Sequence, residues 1–218
     1  MNNRGGQPLL ATEEALSYWD QRHANRDELR SGGDIGLDFG SNQAFYLRRM
    51  GKLLELIEEY VPFVEPCFVL DAGCGKGYFA GQLEECGIRV VGIDASATAI
   101  NHCLANHAGV YMHSRLDTFE SPDLFDCVYA IDVFFHILDD AVWEASFVNL
   151  TTLTRPGGAL FVTDHNAAGR RQLGDYIVHR PASEYVAIAD AHGLEYRGWR
   201  PYAFRTNPLG FHCFVRTR

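Results

Sequence analysis

The segment from Val69 to Gly77, VLDAGCGKG, constrains the fold of this chain more than any other feature. The apolar run Phe68 to Leu70 predicts a short buried strand, and the glycines that follow predict a tight turn into a helix that begins at about Tyr78. Closely spaced glycines at the end of a strand let the backbone approach a ligand that side chains would exclude. The segment therefore predicts an α/β fold with a small-molecule site at the end of this strand.

Two well-known glycine-loop patterns do not match this segment. The dinucleotide fingerprint requires a third glycine where this chain has Tyr78, and the P-loop requires Ser or Thr where Gly77 follows Lys76. The chain instead has Asp71, then glycines at every second position. A second predicted strand ends at Asp94, and a carboxylate there can accept both ribose hydroxyls. The pair of features favours a nucleoside-containing ligand.

Strand-like and helix-like segments alternate through the rest of the chain. This alternation predicts a largely parallel sheet with helices on both faces. A Pro-Gly-Gly turn is expected at 155–158, and the last two strands form an antiparallel pair at one edge. Residues 1–61, with helices expected at 13–22 and from Ser41 or Asn42 to Tyr60, form a helical cap or lid of the same domain. The core of the domain is expected at 62–218. The other expected strands are 89–93, 110–113, 126–131, 159–163, 195–199 and 211–216, and the other helices are 78–86, 97–107, 141–153 and 183–191.

Composition and charge restrict the kinds of molecule that the protein is expected to bind. The 218 residues carry a formal net charge of -9, which argues against a nucleic-acid-binding surface. No apolar run approaches the roughly 20 residues of a membrane span, and the polar start from Met1 to Pro8 has no signal-peptide core. The six cysteines are scattered without a CxxC pair, which favours free thiols over a disulfide framework or a zinc site. We expect a cytoplasmic protein without nucleic-acid or membrane partners.

Four segments together resemble one known family. They are VLDAGCGKG at 69–77, GID at 92–94, FDCVYAID at 125–132 and RPGGAL at 155–160. In their order and spacing they resemble the class I S-adenosylmethionine-dependent methyltransferases, most closely the small-molecule enzymes with an N-terminal helical cap. The resemblance implies a Rossmann-like, seven-stranded, mostly parallel sheet with an antiparallel C-terminal hairpin. It also implies S-adenosyl-L-methionine as cofactor and S-adenosyl-L-homocysteine as product.

The resemblance implies two groups of cofactor contacts. At the methionine end, the loop residues Gly73, Cys74 and Gly75 would pass beneath the cofactor, and Asp71 would hold the loop or the amino group. Ile131 would touch the same end, and Tyr46 or Arg49 would meet the carboxylate.

At the nucleoside end, Asp94 would take the ribose hydroxyls and Ala95 would lie beside adenine. The Leu116 backbone and the Asp117 side chain are the candidates for the remaining adenine contact.

The acceptor is expected to be a small molecule. The methyl group is expected to be transferred to a hydroxyl group of a sugar or natural-product intermediate. Deprotonating a hydroxyl requires a base, and histidine is suited to this near neutral pH. His136, after the fourth strand, is the first candidate, and His165, after the fifth, is the second; each has a structural alternative as a packing or loop residue. Asp132 and Asp164 lie near these histidines, but no third spaced ligand is present, so no metal site is predicted.

The sequence leaves open the acceptor atom, the catalytic role of the chain and its oligomeric state. The acceptor atom can be carbon or nitrogen, in which case a strong base is not needed. The chain can also be a non-catalytic cofactor-binding partner subunit. The sequence does not distinguish a monomer from a homodimer.

Overall fold

The computed structural model of the protein describes residues 8–61 and 67–217. The helices are α1 Thr12–Asn25, α2 Glu28–Gly32, α3 Phe39–Tyr60, α4 Tyr78–Glu85, α5 Ala97–Asn106, α6 Asp140–Leu153 and α7 Ala182–Ala191, with a 3-10 turn at Phe134–His136. The strands are β1 Phe68–Ala72, β2 Arg89–Asp94, β3 Val110–His113, β4 Phe125–Ala130, β5 Thr154–His165, β6 Arg171–Leu173, β7 Ile177–His179, β8 Leu194–Pro201 and β9 Leu209–Arg216.

The main sheet has seven strands in the order β3-β2-β1-β4-β5-β9-β8. The five strands from β3 to β5 run parallel, whereas β9 is antiparallel to both β5 and β8. Strand order reverses between β1 and β4, and such a switch point opens a crevice at the carboxyl ends of the strands. The predicted seven-stranded class I fold is therefore confirmed.

Successive side chains of each strand point to opposite faces of the sheet and form two buried layers. On one face, Val69 and Tyr129 pack with α3 and α4; on the other, Leu70 and Val128 pack with α6 and α7. These four side chains are fully buried, as expected for a parallel sheet covered on both sides. The rigid sheet fixes where each strand ends, and so fixes the residues around the crevice.

Local details differ from the sequence prediction at three places. The cap of α3 is Asp38, whose carboxylate accepts the Ser41 amide at 2.7 Å, and not Ser41 or Asn42. The short helix α2 was not predicted; the Asp27 carboxylate caps it by accepting the Arg30 amide. The expected turn at 155–158 lies inside β5. There Phe125 of β4 pairs with Thr154 of β5, and the next pair is Cys127 with Ala159. Because β5 contains more residues than β4 between these two pairs, its additional residues form an irregularity in the strand pairing.

The β6–β7 hairpin was not predicted. Its strands are only three residues long and β6 is exposed, so they lack the apolar alternation that identifies a strand. The hairpin follows β5, and the carbonyl of Asp175 in its turn accepts the Leu10 amide at 3.0 Å. This contact places the hairpin beside the start of α1.

Parts of the predicted organisation lie outside the described residues. They include residues 1–7 of the polar start and residues 62–66, where the cap was expected to end and the core to begin. Within residues 8–61 and 67–217, no helix is both long and apolar enough to cross a bilayer.

Candidate functional site

The glycine loop joins β1 to α4 through positive φ angles. Gly73 and Gly75 have φ angles of 87° and 53°, values that glycine adopts without the steric cost of a side chain. A Cβ atom at Gly73 would also overlap the Val133 side chain. The amides of Gly73 and Cys74 donate to the Ile93 carbonyl at 2.7 and 2.9 Å, and the Gly75 amide donates to Asp94 at 2.8 Å. The loop is therefore tied to the end of β2.

A cavity of about 180 Å³ lies over this loop. Its floor comes from the ends of β1, β2 and β4, and its walls come from α1, α2 and α3. All the residues predicted to hold the cofactor lie on it: Tyr46, Asp71, Gly73, Cys74, Gly75, Asp94, Ala95, Leu116, Asp117 and Ile131. Their contacts with a bound cofactor stay predictions.

The two carboxylates predicted at the loop differ in their partners. Asp94 is engaged, since one oxygen accepts the Gly75 amide and the other accepts the Ser96 amide at 2.8 Å. Asp71 is buried, and its Oδ2 atom makes no hydrogen bond of ordinary length. Burial raises the pKa of Asp71 to about 7, an effect that the hydroxyl of the buried Tyr129 opposes. A positively charged ligand group near this carboxylate would favour its ionised form.

The two residues expected to contact adenine, Leu116 and Asp117, already accept hydrogen bonds from other side chains of the protein. Asn149 donates to the carbonyl oxygen of Leu116 at 2.8 Å. Arg115 donates to both carboxylate oxygens of Asp117, each at 2.9 Å. The Asp117 side chain can therefore accept from a ligand only through its remaining lone pairs.

Arg49 is buried at the opposite end of the cavity, with 1% of its surface exposed. Its guanidinium lies between the rings of Phe45 and Tyr46, 4.1 and 4.2 Å from their centroids, and pairs with Asp132 through Nη1. The Nε and Nη2 atoms have no partner. Burying unpaired donors of a charged group is costly, so this edge is suited to an anionic ligand group.

The first helix closes one side of the cavity. Trp19 and His23, four residues apart, both line it, as i and i+4 residues on one helix face do. Between them, Asp20 accepts hydrogen bonds from Ser96 Oγ, the Thr98 amide and Thr98 Oγ1 at 2.6 to 3.0 Å. Neither Asp20 nor His23 was predicted as a site residue, and the only sequence signal for His23 is its spacing of four residues from Trp19.

His136 lines the cavity and contacts Trp19, with ring centroids 4.4 Å apart. Its Nδ1 is 3.0 Å from the Tyr176 carbonyl oxygen. Because a carbonyl only accepts, Nδ1 carries the proton and Nε2 is left as the acceptor. Burial lowers the pKa of His136 to about 3, so the ring is neutral at physiological pH.

His165 lies apart from this arrangement. It does not line the cavity, and its Nε2 is 3.3 Å from Arg171 on the exposed β6 strand. Burial and the Arg171 charge lower its pKa. The neighbouring Asp164 is fully buried and accepts hydrogen bonds from His179 and Tyr185 at 2.6 and 2.7 Å. Of the two predicted bases, only His136 faces the cavity.

No residue of the connection between β8 and β9 is among those that line the cavity. Tyr202 is fully buried and donates to Asp132 at 2.8 Å, Phe204 stacks on Phe45, and Arg205 donates to Ser41. Within the described ranges, no group of three or more His, Cys, Asp or Glu residues could hold a metal ion.

The residues of the cavity fit S-adenosylmethionine. Its glycine floor leaves room for a backbone-cradled ligand, and Asp94 lies where ribose is expected. Elsewhere on its lining, the Asp71 carboxylate offers an acceptor, and Arg49 has two nitrogens without a hydrogen-bond partner. An amino-acid group, with its ammonium and carboxylate, carries the complementary charges.

Comparison with known proteins agrees with this geometry. The profile of a family described as "Methyltransferase domain" matches residues 37–213. The chain is 32% identical over 152 residues to the ubiquinone biosynthesis O-methyltransferase of Methylocella silvestris, a match that covers 66% of this chain and 52% of that protein. It is 29% identical over 157 residues to the phosphoethanolamine N-methyltransferase of Triticum aestivum, covering 68% of this chain and 28% of that protein. The chain thus spans about half or less of these curated relatives.

Solved structures share the fold at low sequence identity. The N-methyltransferase NodS from Bradyrhizobium japonicum WM9, in complex with S-adenosyl-L-homocysteine, superposes with a TM-score of 0.71 at 19% identity, covering 94% of this chain and 99% of that one. Magnesium protoporphyrin IX methyltransferase from Synechocystis PCC 6803, with the same ligand, gives 0.68 at 17% identity, covering 92% and 94%. With the family profile spanning most of the sequence, the chain belongs to the class I S-adenosylmethionine-dependent methyltransferases.

Proposed function

We propose that this protein transfers a methyl group from S-adenosylmethionine to a hydroxyl group of a small molecule. The observation that carries the choice of a hydroxyl is His136, whose Nε2 is the acceptor nitrogen of a neutral ring on the cavity. The relative from Methylocella silvestris, named an O-methyltransferase, supports the same choice. A sugar or natural-product intermediate remains the expected type of acceptor.

The chain's own residues would orient and deprotonate the acceptor. The bound cofactor supplies an activated methyl group, so the protein's main contribution is alignment of the acceptor oxygen at roughly 3 Å. His136 Nε2 would accept the hydroxyl hydrogen, and the Tyr176 carbonyl would hold the ring in the correct tautomer. Trp19 would cover the ring and exclude water. With a pKa of about 3, His136 is a weak base, so it would take the proton as methyl transfer proceeds rather than beforehand.

The test is turnover of labelled S-adenosylmethionine with a panel of phenols, sugars and amines, using the wild type, His136→Gln and His165→Gln. We expect transfer to a hydroxyl, with kcat reduced about 100-fold or more by His136→Gln, the effect typical of a lost general base. His165→Gln is expected to retain wild-type kcat because its ring is outside the cavity. Full activity of His136→Gln on the hydroxyl acceptor would contradict the proposal.

An amine acceptor is the second candidate. The low pKa of His136 favours it, because a neutral amine has its own lone pair and needs no strong base. The wheat relative is named an N-methyltransferase. In the same panel, transfer to amines alone, unaffected by His136→Gln, would support this candidate. Binding of S-adenosylhomocysteine without turnover of any acceptor would instead support a partner-subunit role.

A further inference from the structure

We propose that Asp132 is a positioning residue that aims the guanidinium of Arg49 at the amino-acid end of the cofactor. This inference rests on the proposed use of S-adenosylmethionine. Asp132 follows β4 and has a φ angle of 57°, in the left-handed region. A non-glycine residue seldom adopts this conformation, and it persists where surrounding contacts enforce it.

Three contacts hold the Asp132 backbone and one carboxylate oxygen. The Asp132 amide donates to Thr163 Oγ1 at 2.6 Å, and that hydroxyl donates to Asp132 Oδ1 at 3.1 Å. The Tyr202 hydroxyl donates to the same oxygen at 2.8 Å. These partners come from β5 and from the connection between β8 and β9, so the carboxylate is fixed from outside the cavity.

The other oxygen, Oδ2, accepts from Nη1 of Arg49. The Cζ atom of Arg49 lies over the rings of Phe45 and Tyr46, 4.1 and 4.2 Å from their centroids, so these rings limit how the guanidinium can turn. With Nη1 paired and the rotation limited, the edge formed by Nε and Nη2 is the part left without partners, and both atoms are buried. This edge offers two parallel donors, the geometry that binds a carboxylate through both oxygens. Asp71, which also lines the cavity, would take the ammonium of the same amino-acid group.

The test compares two ligands that differ at this end. S-adenosylhomocysteine carries the amino-acid group, whereas 5′-methylthioadenosine carries the same nucleoside and thioether without it. Asn tolerates left-handed backbone, so Asp132→Asn should fold. By calorimetry, we expect Asp132→Asn to raise the Kd of S-adenosylhomocysteine about tenfold to a hundredfold, the effect of a charged hydrogen bond, and to leave the Kd of 5′-methylthioadenosine within about twofold.

Asp126→Asn is the matched control. Asp126 is also buried, also pairs with an arginine, Arg155, and lies on β4, the strand that precedes Asp132, away from the cavity. Its loss should change the affinities for both ligands equally or not at all. An equal loss of both ligands in Asp132→Asn, or no loss of S-adenosylhomocysteine, would overturn the inference.

A double-mutant cycle tests whether Asp132 acts through Arg49. In an Arg49→Gln background, Asp132→Asn should cost no further affinity for S-adenosylhomocysteine; a full additional loss would mean that Asp132 contacts the ligand itself. If Arg49→Gln does not fold, Tyr202→Phe provides the second readout. It removes one hydrogen bond to Asp132 and should weaken S-adenosylhomocysteine alone, by a smaller factor. Wild-type protein that binds neither ligand would refute the proposed function itself, a result distinct from these.

Discussion

At the scale of the residue, Asp71 gives the cavity a pH dependence. Burial raises its pKa to about 7, and only the ionised carboxylate can pair with the cofactor ammonium. Affinity should therefore be complete above pH 7 and should fall below it, approaching tenfold per pH unit for one coupled proton. We expect the Kd of S-adenosylhomocysteine, measured by calorimetry from pH 5.5 to 8.5, to follow this curve, with weaker and flatter binding in Asp71→Asn.

His23 is the internal control for that measurement. It lies on the same cavity, and burial lowers its pKa despite the nearby Asp94 charge. Its titration is therefore displaced to the acid side of the usual histidine value. A pH profile that keeps its midpoint near 7 in Asp71→Asn would assign the proton to another group.

At the scale of the element, one side chain ties α1 to the start of α5 beside the cavity. The Asp20 carboxylate accepts three hydrogen bonds from Ser96 and Thr98, at the start of α5. Asp20→Ala should loosen the helix and speed release of S-adenosylhomocysteine about tenfold, because hydrogen bonds to charged groups contribute roughly 1.5–3 kcal/mol. Stopped-flow dissociation measures this. Gln21→Ala, which alters an exposed residue of the same helix, should leave the rate unchanged, and equal rates in all three proteins would show that α1 does not retain the ligand.

At the scale of the whole molecule, the ligand should join the cap to the sheet. The cavity is walled by α1, α2 and α3 and floored by the ends of β1, β2 and β4. S-adenosylhomocysteine at 100 times its Kd should stabilise the protein by about 2.7 kcal/mol. That corresponds to a rise in Tm of roughly 5–11 °C for a chain of this size.

Hydrogen exchange locates that stabilisation. Amides of α1 should become protected together with the glycine loop, because Trp19 and His23 contact the same cavity. Protection limited to the loop and β2, with α1 unchanged, would contradict the predicted single domain in which 1–61 caps the core.

The fold could be predicted in detail because its signals are local. The glycine run after Leu70, the acid at Asp94 and the alternation of elements all lie in short stretches of sequence, and each has a direct backbone consequence. The β6–β7 hairpin escaped prediction because its strands are short and largely exposed, so neither burial nor periodicity marks them.

The sequence alone determined which residues form the floor of the cavity. They are the glycines that leave room for a ligand after β1 and the carboxylate at the end of β2. The tertiary structure decided which side chains complete the site. Arg49 is 83 positions from Asp132, and Tyr202 is 70, yet packing joins all three at the edge of the cavity. The same packing turns His136 inward and leaves His165 outside. The spacing of residues along the chain predicts where the strands end. Contacts between distant segments depend instead on how helices and loops pack across the sheet, and no local sequence pattern predicts that packing.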